Sequence, residues 1–209
     1  MGFLSINMFR TYNNNLFPRD YYYDKLLTKY ENPEFYSKLD ETDQLRKIPS
    51  KQTIRVKDDL NFGISYQEVI DKHGKPNCIL KKDRNSKFQI LFYRVKVGGH
   101  KTKCEYHFYN NRLFFFTYIF AYLTKEEKNE ITKMVGKKYA DDALFEPESQ
   151  IIIDVTENFI MVENGVDYSI LYVSGEKEIF QQIKKDRRTE NIIHQKRNIR
   201  RNNELYRFL

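Results

Sequence analysis

Phe62-Gly63-Ile64-Ser65-Tyr66-Gln67-Glu68-Val69-Ile70-Asp71-Lys72-His73-Gly74-Lys75-Pro76 is the stretch whose reading decides the fold. Ser65 is placed to cap a helix, and Glu68, three positions on, can reach back to close a capping box. Gly74 suits the left-handed turn that ends such a helix, and Pro76 blocks its continuation. One short, punctuated helix is therefore expected at the entrance of the folded core, near Leu60. Thr124-Lys125-Glu126-Glu127 repeats the capping signal and predicts a second helix to about Tyr139, with Ile131, Met134 and Val135 inward.

Strands are expected after each helix. Asn77 to Lys81 and Phe88 to Val97 have strand composition. Gly98-Gly99 is a turn signal, and Lys101 to Tyr109 is the next strand. Asn110-Asn111 turns the chain into Leu113 to Tyr122, because Asn tolerates positive φ. After the second helix come Gln150 to Val155, Phe159 to Glu163 and Val166 to Val173. Glu157-Asn158 and Asn164-Gly165 are read as the turns between them. A terminal helix follows Gly175, with Ile179, Phe180 and Ile183 on one side.

This order defines an α+β protein: antiparallel sheet with helices packed on one face, rather than parallel βαβ units. It also permits two tandem helix-plus-meander repeats. Glu68 to Lys75 and Glu130 to Lys137 form a weak internal echo of that kind. Leu113 to Phe120 is apolar on both strand faces. It reads as a central strand covered by helices on one side and by an N-terminal arm on the other, or else as an interface strand.

The organisation expected is an aromatic helical arm over 1–59, an α+β core over 60–183 and a basic tail over 184–209. In the arm, Asp20 to Tyr30 puts Tyr23, Leu26, Leu27 and Tyr30 on one helical face. Asn32 and Pro33 then open a helix running to about Arg46. Thr53 to Val56 reads as a short strand or a linker. Tyr21, Tyr22 and Tyr23 are candidates for a protein interface, since Tyr is favoured in such contacts.

The net charge of +7 is uneven. Residues 60–183 hold seventeen basic and seventeen acidic side chains, whereas residues 184–209 hold nine basic against three acidic. Arg187, Arg188, Lys196, Arg197, Arg200 and Arg201 are therefore the candidates for binding nucleic acid or an acidic partner, Arg pairing with phosphate through its planar fork. The plainer reading is a solvated basic helix or frayed end.

Catalytic signals are sparse. His100, Cys104 and His107 are the nearest approach to a metal cluster, but three residues is an odd step on a strand, so Cys104 and His107 point to opposite faces. A Cys–His pair drawn from Cys78, Cys104, His73 and His107 lacks a positioned base or oxyanion hole. Asp154, at a strand end, is the best single carboxylate for a metal-dependent nuclease, ahead of Asp141, Asp142, Glu146 and Glu148. Gly98-Gly99-His100-Lys101 lacks phosphate-loop spacing. No cofactor is expected. Cys78 and Cys104 are expected to be reduced. The longest apolar run, Leu113 to Leu123, is eleven residues, about half of a membrane span. The first residues carry no basic region before their apolar ones, and cytoplasmic residence is the expectation.

Phe62-Gly63-Ile64-Ser65, Glu68-Val69 and Gly74-Lys75-Pro76 resemble the opening of small α+β modules found in the barrel-assembly lipoproteins of the outer membrane and, in tandem, in the β-lactamase inhibitory proteins. The resemblance implies a helical hairpin leading into an antiparallel meander that binds other proteins, with no catalytic residues. This chain lacks the lipid-bearing Cys of the first group and the paired cysteines of the second. A protein-interaction module with an assembly, immunity or inhibitor-like role is the leading expectation. Nucleic-acid binding through the tail comes second, and a metal-dependent hydrolase is a distant third.

Overall fold

The computed structural model describes residues 33–40, 44–57, 60–81, 87–141 and 144–208, together with Leu26, Lys29, Tyr30 and Thr42. Among these, the chain divides into two compact units, one spanning 42–176 and the other combining residues up to Asp40 with the helix from Lys177 onward. Tyr21, Tyr22 and Tyr23 lie outside the described residues.

The first unit is built on one eight-stranded sheet. Its strands are β1 (Arg46–Pro49), β2 (Cys78–Lys81), β3 (Phe88–Val97), β4 (His100–Tyr109), β5 (Arg112–Phe120), β6 (Gln150–Ile153), β7 (Phe159–Asn164) and β8 (Tyr168–Val173). They lie in the order β1-β6-β7-β8-β5-β4-β3-β2, and every pairing is antiparallel except β1 with β6. Helix α2 (Tyr66–His73) precedes the β2–β5 meander and helix α3 (Lys125–Tyr139) precedes β6–β8. The two helix-plus-meander halves meet where their last strands, β5 and β8, pair.

Both capping boxes form as expected. Ser65 Oγ accepts from the Glu68 amide while the Glu68 carboxylate accepts from the Ser65 amide, and Thr124 and Glu127 do the same. Gly74 sits at φ 76°, and its carbonyl accepts from the Tyr93 hydroxyl at 2.9 Å. Asn110 and Asn111 both take positive φ, 48° and 62°, the geometry a two-residue hairpin turn requires.

One face of the sheet packs against these helices. Val69 of α2 and Val135 and Tyr139 of α3 share a single apolar cluster with Leu91, Tyr106, Phe116, Ile160 and Tyr172. On the opposite face Ile90, Phe115, Ile151, Leu171 and Val173 are also buried. β5 is therefore covered on both sides. A register shift between His107 and Phe108 sets Phe114 as an extra residue, so Leu113 to Phe116 are all buried in succession.

Two sequence expectations are corrected. The helix expected to run from Asn32 to about Arg46 ends at Asp40, as α1 (Pro33–Asp40), and Arg46–Pro49 is a strand. That strand lies in the stretch read as the end of an arm, yet it is an edge of the sheet. Its parallel pairing with β6 outweighs weak local propensity, and Pro49 is tolerated there because an edge strand leaves one row of amides unused. Thr53 to Val56, read as a short strand or a linker, is a linker with one isolated bridge, Val56 to Leu60. Asn164-Gly165 does not make a two-residue turn. The register pairs Asn164 with Tyr168, so Gly165, Val166 and Asp167 form a three-residue loop, and β8 starts two residues later than expected.

In the second unit α1 packs along α4 (Lys177–Phe208). Tyr36 and Leu39 of α1 are buried, as are Ile179, Phe180 and Ile183 in the first turns of α4. Phe35 lies edge-on to both Tyr30 and Tyr36, at 5.1 and 5.0 Å.

The tyrosines of the sheet core set an alkaline limit on stability. Burial raises the Tyr93 hydroxyl to about 12, and also raises Tyr168 and, well above the ordinary value, Tyr172. In the unfolded chain these groups ionise near 10. The stability they contribute is therefore complete below about pH 10 and declines as pH rises toward 12. A tyrosinate absorbance titration followed in parallel by circular dichroism is expected to show unfolding together with late ionisation. Three simple titrations near pH 10 with the fold intact would contradict this.

Candidate functional site

α4 is 32 residues long, so it extends about 48 Å. Beyond its first turns it changes character. Every residue from Gln195 to Arg207 is exposed, on all sides of the helix. Helical spacing sorts the candidate cations into two groups. Arg188, Lys196 and Arg200 lie toward one side, and Arg197 and Arg201 lie on the other. Arg200 Nε donates to Glu204 Oε1 at 3.1 Å, one turn on. The Arg187 backbone is helical and its side chain is outside the described residues.

In sequence Ile192 and Ile199 merely interrupt the basic pairs; on the helix they join Tyr206 in a line of exposed apolar side chains on the first of these sides. Ile192, Ile199 and Tyr206 are 51%, 60% and 85% exposed. They recur every seven residues, with Lys196 and Asn203 between them in steps of four and three. That is the heptad spacing of a helix that pairs with another helix. The signal was present in the sequence, but it emerges only once the tail is known to be continuous helix to Phe208.

The catalytic candidates are dispersed. Cys78 and Cys104 are both free thiols and buried, and the register puts them on opposite faces of the sheet. Cys104 and His107 are likewise on opposite faces, as the odd spacing predicted. His107 instead lies 3.5 Å from Glu105, two residues away on its own face, and both are buried. His100 is 3.9 Å from Glu127, and His73 packs against the rings of Tyr93 and Tyr106. Asp141 pairs with Lys51 at 2.6 Å on the surface.

Asp154 is buried and held by the protein itself. Its carboxylate accepts from the amides of Ile54, Thr156 and Asn158, from the Thr156 hydroxyl and from the Asn158 side chain. Its lone pairs are directed at these donors, which organise the β6–β7 turn. Among the described residues no group of three or more His, Cys, Asp and Glu side chains converges on a point that could hold a metal. Nor is any described helix long and apolar enough to cross a membrane.

No family model matches this chain, and no curated protein or solved structure shows significant similarity to it.

Proposed function

We propose that the protein is a non-enzymatic interaction module: the sheet unit is the scaffold and the exposed half of α4 is the docking element for an acidic helical segment of another protein. The observation that carries this reading is the line of Ile192, Ile199 and Tyr206, exposed in heptad register on one side of a helix whose other exposed residues from Gln195 to Arg207 are polar or charged except Leu205. A helix held only by solvent gains nothing from such a line, whereas a partner helix buries it. Arg200 and Arg207 flank the line, so a partner carrying Asp or Glu beside its own apolar stripe is favoured. A second copy of α4 would bring Gln195 and Asn202 to these arginines, with no acidic complement. The resemblance of the Gly63 to Pro76 segment to protein-binding modules supports the same plan. An assembly, immunity or inhibitor-like role suits it, in the cytoplasm.

The test is capture from a nuclease-treated lysate of the source cells, comparing the full chain with an Ile192→Gln/Ile199→Gln/Tyr206→Gln variant. The expected result is a discrete protein enriched by the parent and reduced at least about tenfold by the variant, the size of effect expected from anchor residues. Equal recovery by both would overturn the role of the stripe.

Arg197 and Arg201 favour a second reading, phosphate binding by the tail, because they lie away from the apolar line and its flanks. Under that reading Arg197→Gln/Arg201→Gln lowers the amount of nucleic acid in captures made without nuclease and leaves protein recovery unchanged. Retention of the nucleic acid would exclude it.

A further inference from the structure

The hairpin of β3 and β4 carries two like-charged pairs in succession. Register places Arg94 opposite Lys103 and Lys96 opposite Lys101. Because side chains alternate along a strand, all four project from one face of the sheet. Opposed side chains in an antiparallel pair have Cβ atoms about 5 Å apart, and like charges there are destabilising. The fold gains nothing from this arrangement.

The outer pair lies where the sheet narrows to two strands. β2 reaches only to the Cys78–Phe92 pair, and β5 only to Thr102–Phe120. Lys96 and Lys101 therefore stand on a free ribbon that ends in Gly98 and Gly99, both at positive φ. Arg94, Lys96 and Lys101 are exposed; Lys103 is half-buried and also interacts within the protein. The ribbon cannot turn over, because Val95 and Val97 on its other face pack against the apolar cluster. On the charged face, the next register positions are Phe92, Glu105 and Ile119, and all three are buried. The carboxylate of Glu105 is only 2% exposed and lies beside His107, so it offers no counter-charge at the surface.

We infer that this ribbon is a second binding surface, independent of α4, and that its ligand is the phosphate backbone of a duplex nucleic acid. A cluster of cations whose adjoining register positions expose no apolar side chain has nothing there to insert into a lipid layer. Among the register positions of these cations no exposed aromatic ring stands, and single strands bind by stacking on such rings. The cluster suits regularly spaced phosphates, read for position and not for sequence.

The experiment is fluorescence anisotropy of a short labelled duplex with the intact protein across a salt series. Lys96→Gln/Lys101→Gln and Arg94→Gln/Lys96→Gln/Lys101→Gln are compared with the parent. Each phosphate contact removed should flatten the slope of log affinity against log salt by about 0.9, so by about 2 and about 3 in the two variants. Affinity at low salt should fall at least tenfold, and Lys96→Arg/Lys101→Arg should restore it. Melting temperature should stay the same or rise, since a repulsive pair has been removed. The inference is overturned if the parent does not bind the duplex or if slope and affinity are unchanged in both Gln variants. It is also overturned if binding is lost only in Arg197→Gln/Arg201→Gln, or if the protein binds vesicles of anionic phospholipid and not the duplex.

Discussion

Replacing Gly175 by Ala is expected to destabilise the sheet unit by about 3 kcal/mol or more, the upper range for overpacking a closed site. A Cβ built at Gly175 would lie 2.6 Å from the Glu157 carbonyl carbon and from the Thr156 carbonyl oxygen. Both are backbone atoms, so no side-chain rotation relieves the contact. The obstruction falls on a tightly held turn. The Gly175 amide donates to Asn158 Oδ1 at 3.0 Å, and Glu157 already sits at φ 63°. The Ala methyl would push the β6–β7 turn away from the end of β8 and break that bond. Thermal melts should show a drop of roughly 10 °C or more. Gly165→Ala is the control. Its Cβ would meet only the Asp167 carbonyl oxygen, at 3.5 Å, an ordinary contact. Equal melting temperatures for the two variants would show that the turn yields freely.

Asp154→Ala is expected to cost about 3–5 kcal/mol, because it leaves several donors without an acceptor, each with its own desolvation penalty. The amide of Ile54, bonded to Asp154 Oδ2 at 2.7 Å across 100 positions of sequence, is the most buried of them. Asp154→Asn should be milder, about 2 kcal/mol, since one acceptor oxygen remains while an amide NH2 replaces the other and faces donors. Urea denaturation should show the lower midpoint with an unchanged slope. The same pair of variants separates structure from chemistry. A carboxylate serving metal-dependent hydrolysis would lose activity at constant stability, whereas here stability itself should fall. Combining Asp154→Ala with Gly175→Ala should cost less than the sum, because both changes release the same turn.

Sequence legibility followed the range of each interaction. The capping boxes at Ser65 and Thr124 and the turns at Gly98-Gly99 and Asn110-Asn111 were readable, because their partners lie within a few residues. The α+β order followed from them. β1 was not readable. Nothing in Arg46-Lys47-Ile48-Pro49 favours a strand until Gln150 to Ile153 is beside it. Asn164-Gly165 carried the right composition for a tight turn, and the pairing of Asn164 with Tyr168 overrode it. Asp154 was noticed only as a candidate carboxylate for metal chemistry. Its neighbours Thr156 and Asn158 already mark a carboxylate that bonds its own turn. The tail cations were found as composition, but their division between two helix faces required an unbroken helix to Phe208.

The order of strands also predicts an order of assembly. Each meander pairs strands that are neighbours in sequence, so loop-closure entropy is small until β5 meets β8. The longest closure is left to the edge, where β1 must find β6 after the chain between them has folded. In amide exchange, Ile48 should open ahead of the central strands, and a slow refolding phase should lie in the docking of this one short strand.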